Sequence, residues 1–363
     1  MVPYIPKQIL VQEQSWQDRA THEILERLPG IPTHTIKNTD SRSADLDGTA
    51  DLQRHTKDTL ILMRFAGNFL KNCQGSGAEI CCNYKIVSYA WNCPMECTYC
   101  VLQCYLNNNA MVVCTNIEDL LTEVRATLDR SPVRSLRIGT GELTDSLALD
   151  SITQYSQRIV PLFATHSNAI LELKTKSDQI GNLKDLDHRG RTVVSWSMNS
   201  RHICSAEELG APSFETRLAA AVQCQEWGYK VGFHFDPVIF YEEWETGYRE
   251  AVRDIFRAVD PGRVAWVSLG ALRFTPHLRE LVRKRFPKSM IPYGEFVPGH
   301  HGKLRYFRPI REEMYRGIRS WIREQAPGVF VYLCMESAAV WQRSFGERPR
   351  NAAHLNQRLA VSG

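Results

Sequence analysis

The sequence predicts an α/β chain whose core is a parallel sheet curled into a partial (β/α) barrel, with an N-terminal helical extension and a C-terminal hairpin and helical extension. Three observations carry this reading. From residue 84 onward, short apolar runs alternate about six times with amphipathic stretches, the order that gives parallel strands joined by crossover helices. No G-x-G-x-x-G follows any of those runs, so an ordinary dinucleotide-binding sheet is disfavoured. A cysteine-rich loop comes straight after the first run, at 93–100, and chemistry in such barrels gathers at the C-terminal ends of strands.

The elements follow in order. The chain of 363 residues divides into an extension over 1–82, a barrel core over 83–275 and a C-terminal part over 276–363. A helix is expected over 16–28, with Arg19, Glu23 and Glu26 on its polar side and Gly30 and Pro32 ending it. The polar stretch 38–51 reads as a loop and 75–77 as a flexible joint. Strands are expected over 84–91, 133–138, 169–173, 193–197, 230–235, 264–269 and 329–333. Helices are expected over 117–128, 151–163, 214–227, 244–258, 276–285, 311–325 and 338–346. Thr115 and Glu118 have the spacing of a capping box. Gly228 suits the end of its helix because glycine tolerates positive φ.

Composition narrows the class. Hydrophobic residues at 43% and charged residues at 23% are the balance of a globular protein with a sizeable core. No apolar run reaches the length of a membrane span, and residues 1–15 lack the basic-then-apolar order of a secretory signal. A cytoplasmic protein without a membrane partner is expected. A net charge of +4 neither demands nor excludes nucleic acid. The eleven cysteines are odd in number and lie in a long chain, which argues against a disulfide framework. Five crowd between Cys81 and Cys100, as metal ligation or redox chemistry would have it. Cys204 and Cys224 stand apart and read as small buried apolar residues.

The loop reads Cys93-Pro-Met-Glu-Cys97-Thr-Tyr-Cys100, a C-x3-C-x2-C spacing. Three thiolates on one short loop can hold three corners of an iron–sulfur cube. Without a fourth protein ligand, one iron is open to the amino and carboxylate groups of S-adenosylmethionine (SAM). One electron from the cluster then breaks a carbon–sulfur bond and gives a 5′-deoxyadenosyl radical. A structural zinc site is the competing reading, but it normally needs a second ligand pair, and no second C-x2-C follows downstream. Cys81, Cys82 and Cys104 are placed near this site and outside its ligand set.

At these residues the chain resembles the radical SAM superfamily, and over about residues 20–346 it resembles the spore photoproduct lyase family. The likeness rests on Cys93 to Gln103, Lys174-Thr-Lys176, Ser197-Met-Asn-Ser-Arg201, Ser213-Phe-Glu-Thr-Arg-Leu-Ala-Ala-Ala221 and Gly228-Tyr-Lys-Val-Gly-Phe233, in that order. The resemblance implies a partial barrel of the radical SAM type, a 4Fe–4S cluster on Cys93, Cys97 and Cys100, and SAM as cofactor. It further implies lyase activity on a thymine dimer flipped out of DNA, with an electron donor such as flavodoxin or ferredoxin. Gly141 and Glu142 correspond to the segment receiving the SAM amino group, where a carboxylate accepts charge-assisted hydrogen bonds. Lys176 corresponds to a cation near the SAM carboxylate, and Ser197 and Asn199 to ribose or carboxylate contacts. The run Gly299-His-His-Gly-Lys-Leu-Arg-Tyr-Phe-Arg308 corresponds to a DNA-entering hairpin. There His300, Lys303, Arg305 and Tyr306 are the expected contacts, cations for phosphates and an aromatic face for an exposed base. Arg279, Arg283, Lys284, Arg285 and Lys288 add charge upstream.

Two departures bear on mechanism. Where the family carries a cysteine hydrogen donor this chain has Glu142-Leu-Thr-Asp145, and where the family has a tyrosine after the last cluster cysteine it has Val101, although Tyr99 is retained. Cys334, ending the last expected strand, is the candidate replacement donor, with Cys104 next; Tyr99 is the candidate relay residue. A buried core cysteine is the competing reading of Cys334. Repair with another donor, a radical SAM reaction on a different substrate such as a nucleoside-derived metabolite or a peptide, and a non-enzymatic damage-binding protein all stay open.

Overall fold

The computed structural model describes residues 3–37, 56–73, 79–106, 108–131, 136–299 and 302–363. The loop expected over 38–51, the joint over 75–77 and His300 lie outside the described residues.

The core is an eight-stranded sheet whose strands follow one another in chain order from edge to edge. They are β1 (Leu70–Asn72), β2 (Lys85–Val87), β3 (Leu136–Gly139), β4 (Ala169–Thr175), β5 (Thr192–Ser197), β6 (Lys230–Val238), β7 (Val264–Ala271) and β8 (Val331–Leu333). Only β1 runs antiparallel to its neighbour; every other pairing is parallel. The crossovers are helical, among them Phe214–Glu226, Trp244–Ala258 and Arg308–Gln325. Strands buried on both faces explain why these segments read as continuous apolar runs: every residue of β5 and β7 is buried.

The sheet curls until distant strands touch. Arg137 of β3 donates from Nη2 to the Tyr332 hydroxyl of β8 at 3.1 Å, although four strands separate them in the sheet. A polar layer fills that interior. Glu172 of β4 accepts from Ser195 Oγ at 2.8 Å, His234 Nε2 at 2.7 Å and Trp266 Nε1 at 3.2 Å, and pairs with Arg137 Nε at 3.3 Å. Burial alone raises a carboxyl pKa, but Arg137 and His234 outweigh it and hold Glu172 well below the carboxylate range. Gly139 is required where the layer is tightest, since a Cβ there would lie 1.5 Å from the Tyr84 hydroxyl.

Three expectations change. Residues 84–91 are two strands: after β2 the chain leaves the barrel, and Ala90–Trp91 pairs antiparallel with Met111–Cys114 of a second sheet. That five-stranded sheet also takes Gln8–Gln12, Thr33–Ile36 and Thr59–Met63, so the N-terminal extension holds strands besides its helix Arg19–Glu26. Thr59–Met63 is buried throughout and shows no alternation to read. The capping box does not form: Asn116 is the N-cap, while the Thr115 hydroxyl donates to Asp18 at 2.7 Å. Helices Trp244–Ala258 and Pro276–Arg285 match their expected spans. No helix of the described residues is long and apolar enough to cross a membrane.

Candidate active site

The cysteine loop leaves the second sheet through Asn92, whose φ of 73° turns the chain; its side-chain oxygen accepts from the Cys93 N–H at 2.9 Å. Glu96–Cys97 then pairs antiparallel with Glu208–Leu209, setting Glu208 opposite Cys97. The Lys57 ammonium holds the Met95 carbonyl and reaches Glu96 at 2.9 Å. Gln103 Nε2 donates to the Thr98 carbonyl at 3.0 Å and Arg285 pairs with Glu96 at 3.0 Å. The hydroxyl of Thr98 donates to Glu207. A loop so braced presents its side chains in fixed positions.

None of Cys93, Cys97 and Cys100 is tied in a disulfide. Burial pushes the Cys97 thiol up to about 12, with Lys176 pulling the other way, and burial raises Cys93 as well. Cys104 turns to the Thr275 hydroxyl. A tetrahedral zinc ion requires donors converging on one point; among the described residues no three His, Cys, Asp or Glu side chains do so. An iron–sulfur cube spreads its thiolates over separate corners, and three soft thiols on one rigid loop are the donor chemistry it needs.

Beside the loop lies a buried charge network. Glu208 accepts from the Tyr99 hydroxyl and from Asn199 Nδ2 at 3.1 Å, pairs with Arg217 at 2.5 Å, and stands 4.0 Å from Lys176 Nζ. Burial raises the Glu208 carboxyl, but Lys176 and Arg217 overcome it, so its pKa is lowered. Burial lowers Lys176, and Glu208 and Cys97 overcome that in turn, leaving it raised and charged. Asn199 Oδ1 accepts from the Tyr248 hydroxyl at 2.5 Å, and the Ser197 carbonyl accepts from Arg217 at 3.1 Å. Tyr99, Lys176 and Asn199 are thus brought together around Glu208, with the Ser197 carbonyl joined to them through Arg217. Glu208 and Arg217 were missed, because a buried carboxylate–guanidinium pair looks like surface charge in a sequence; Arg217's place in the family-like run over 213–221 was the available signal.

The segment after β3 is fastened by Asp145. Its carboxylate accepts from the Leu147 and Ala148 N–H groups, the Thr175 hydroxyl at 2.6 Å and the Lys176 N–H at 2.6 Å. Gly141 passes so close to β4 that a Cβ would meet the Lys174 carbonyl at 2.6 Å. Glu142 is exposed in this turn.

Cys334 sits one layer above Tyr332, level with Asp236 two residues beyond His234. Its thiol is hydrogen-bonded to Asp236 and lies 4.0 Å from Arg273 Nη2, whose Nη1 pairs with Asp236 at 3.4 Å. Burial raises the Cys334 thiol well above its usual range, and Asp236 adds to this, which keeps it protonated.

The hairpin corrects two expectations. Leu304–Arg305 pairs with both Arg273–Phe274 and Val297–Pro298. Arg305 is buried and salt-bridged to Glu336 at 2.7 Å and Glu79 at 3.2 Å. Tyr306 is buried, stacked on Phe296, and accepts from the Phe240 N–H at 3.1 Å. Neither side chain faces solvent, contrary to the exposure expected of a nucleic-acid contact. Lys303 is half-buried, and Phe307 and Arg308 are exposed.

Comparison with known proteins places the chain. The family model described as "Spore photoproduct lyase" matches residues 4–330. The spore photoproduct lyase of Geobacillus sp. (strain Y412MC61) is 23% identical over 343 residues, covering 91% of this chain and 99% of the relative. That of Bacillus subtilis (strain 168) is 22% identical over 321 residues, covering 86% and 92%. The structure of a spore photoproduct lyase double mutant with bound AdoMet and dinucleoside spore photoproduct superposes with a TM-score of 0.80 at 23% identity, over 91% of this chain and 99% of that one. At such identity the superposition establishes the shared fold, and the family model establishes the kinship. The chain belongs to the spore photoproduct lyase family.

Proposed function

We propose that this protein is a radical SAM lyase that cleaves a thymine-dimer photoproduct in DNA. The observation that carries the reading is the C-x3-C-x2-C loop, braced at the barrel beside Lys176, Asn199 and Glu208, within a family match spanning 4–330. Cys93, Cys97 and Cys100 hold the 4Fe–4S cluster. Lys176 meets the SAM carboxylate, and Ser197 and Asn199 line the same pocket. The turn at Gly141 and Glu142 receives the SAM amino group: glycine lets the backbone approach, and the exposed Glu142 carboxylate is an acceptor. When bound, cluster and SAM supply the radical that takes a hydrogen atom from the substrate.

The chain's own residues then set the outcome. Tyr99 orients Glu208, and Glu208 in turn holds Lys176 charged. Cys334, half-buried at the strand end, gives its S–H hydrogen atom to the substrate radical, leaving a thiyl on Sγ; Asp236 and Arg273 fix the thiol. Lys303 and Arg308 contact DNA phosphates, with Phe307 available to an unstacked base. The reaction belongs in the cytoplasm, where an electron donor of low potential is present.

Glu142 and Val101 at the family's donor and relay positions favour a second reading, the same radical chemistry on a different substrate. The first test is anaerobic release of 5′-deoxyadenosine from the reduced, cluster-loaded protein with SAM. Release that disappears in Cys93→Ala, Cys97→Ala and Cys100→Ala supports a radical SAM enzyme. Release undiminished in all three excludes this cluster assignment.

A further inference from the structure

Nine large apolar side chains stand exposed among the described residues, and five of them, Val101, Tyr105, Leu209, Met290 and Tyr293, sit on the elements that brace the cysteine loop. Leu209 pairs with Glu96. Val101 and Tyr105 follow Cys100 directly, and the short helix Leu102–Tyr105 packs on the helix Pro276–Arg285. The Met290 N–H donates to Glu207 at 3.2 Å, the carboxylate that also takes the Thr98 hydroxyl. The Arg283 guanidinium lies over the Tyr293 ring at 5.4 Å.

The same surface is strongly basic. Residues 276–288 carry Arg279, Arg283, Lys284, Arg285 and Lys288 against the single carboxylate Glu280, as large an excess as the +4 of the whole chain. Glu96, the loop's own carboxylate, is matched by Lys57 and Arg285. Exposed apolar side chains gathered in one place mark an interaction surface. Aromatic, Met and Arg side chains are those enriched in protein–protein contacts, whereas nucleic-acid surfaces are more polar.

We propose that this surface docks a small acidic one-electron carrier protein and brings its redox centre against the loop bearing Cys97 and Cys100. The inference rests on the cluster reading above. One electron leaves the reduced carrier and enters the oxidised cluster; no atom is transferred. Basic side chains steer the acidic partner and set its orientation, while the apolar residues exclude water from the contact. Cys100, half-exposed beside Val101, sets one of the thiols that would hold the cluster at the edge of this surface.

The test uses the cluster-loaded enzyme and a reduced bacterial flavodoxin. Two variants are compared, Lys284→Glu/Lys288→Glu for charge and Met290→Ser/Tyr293→Ser for the apolar part. Both are expected to raise the flavodoxin Kd by roughly tenfold or more, the charge variant with a weaker salt dependence. Cluster reduction by flavodoxin, followed by electron paramagnetic resonance, slows in step. Reduction by dithionite, DNA affinity and thermal stability stay at wild-type values. An unchanged flavodoxin Kd in both variants, or wild-type protein that binds no flavodoxin, overturns the proposal. A parallel loss of duplex-DNA affinity assigns the surface to nucleic acid and overturns it too. Failure of dithionite to reduce the wild-type protein is a different result, and it removes the cluster reading itself.

Discussion

Glu208 lies opposite Cys97 across a two-residue antiparallel pairing, so the carboxylate that organises Tyr99, Asn199, Lys176 and Arg217 is fixed to the backbone of the cysteine loop. The loop and the strand ends that carry Lys176 and Asn199 are therefore one mechanical unit. Glu208→Ala leaves Arg217 as a fully buried, unpaired cation, which costs about 3–5 kcal/mol. Denaturant unfolding is expected to show a loss of that order, together with weaker SAM binding.

The same carboxylate gives an acid dependence. Its folded pKa is lowered by Lys176 and Arg217, so its contribution is fully present above the ordinary unfolded value of about 4.3. The contribution is lost as pH falls through the depressed folded value, because the unfolded chain binds the proton first. Unfolding free energies measured from neutral pH into the acid range should fall more steeply for wild type than for Glu208→Gln. Equal slopes would show that Glu208 is not held ionised.

Hairpin substitutions separate fold from DNA contact. Arg305→Ala is expected to destabilise the protein by breaking its buried pairs with Glu336 and Glu79, with little change in the salt slope of DNA binding. Lys303→Ala and Arg308→Ala should each leave stability within about 0.5 kcal/mol while reducing that slope by about 0.9. The reverse pattern would restore Arg305 as the contact.

Cys334→Ala should retain iron content and SAM cleavage, yet lose clean product and accumulate adducts of the substrate radical. Cys334→Ser keeps the size but not the weak S–H bond and should behave alike. Normal product yield from Cys334→Ala would eliminate it as the donor.

Much of this was legible in the sequence because its signals are local. The cysteine spacing, the strand-and-helix alternation of 169–285 and the glycine that ends Phe214–Glu226, where Gly228 takes a φ of 96°, depend on neighbours a few residues apart. What was missed depends on contacts distant in the chain. Glu208 meets Tyr99 from 109 residues away, and Arg305 reaches Glu79 across 226. A basic, aromatic hairpin reads as a DNA contact whether or not its arginine turns inward; only the partners decide. The N-terminal strands were hidden for another reason, since a fully buried strand such as Thr59–Met63 carries no periodic signature.

Thymine-dimer cleavage is tested by an anaerobic assay of the reduced, cluster-loaded protein with SAM and dinucleoside spore photoproduct. Restored thymines that depend on SAM and on Cys93, Cys97 and Cys100 are the expected result. Release of 5′-deoxyadenosine with the photoproduct left intact would contradict it and leave a radical SAM enzyme acting on another substrate.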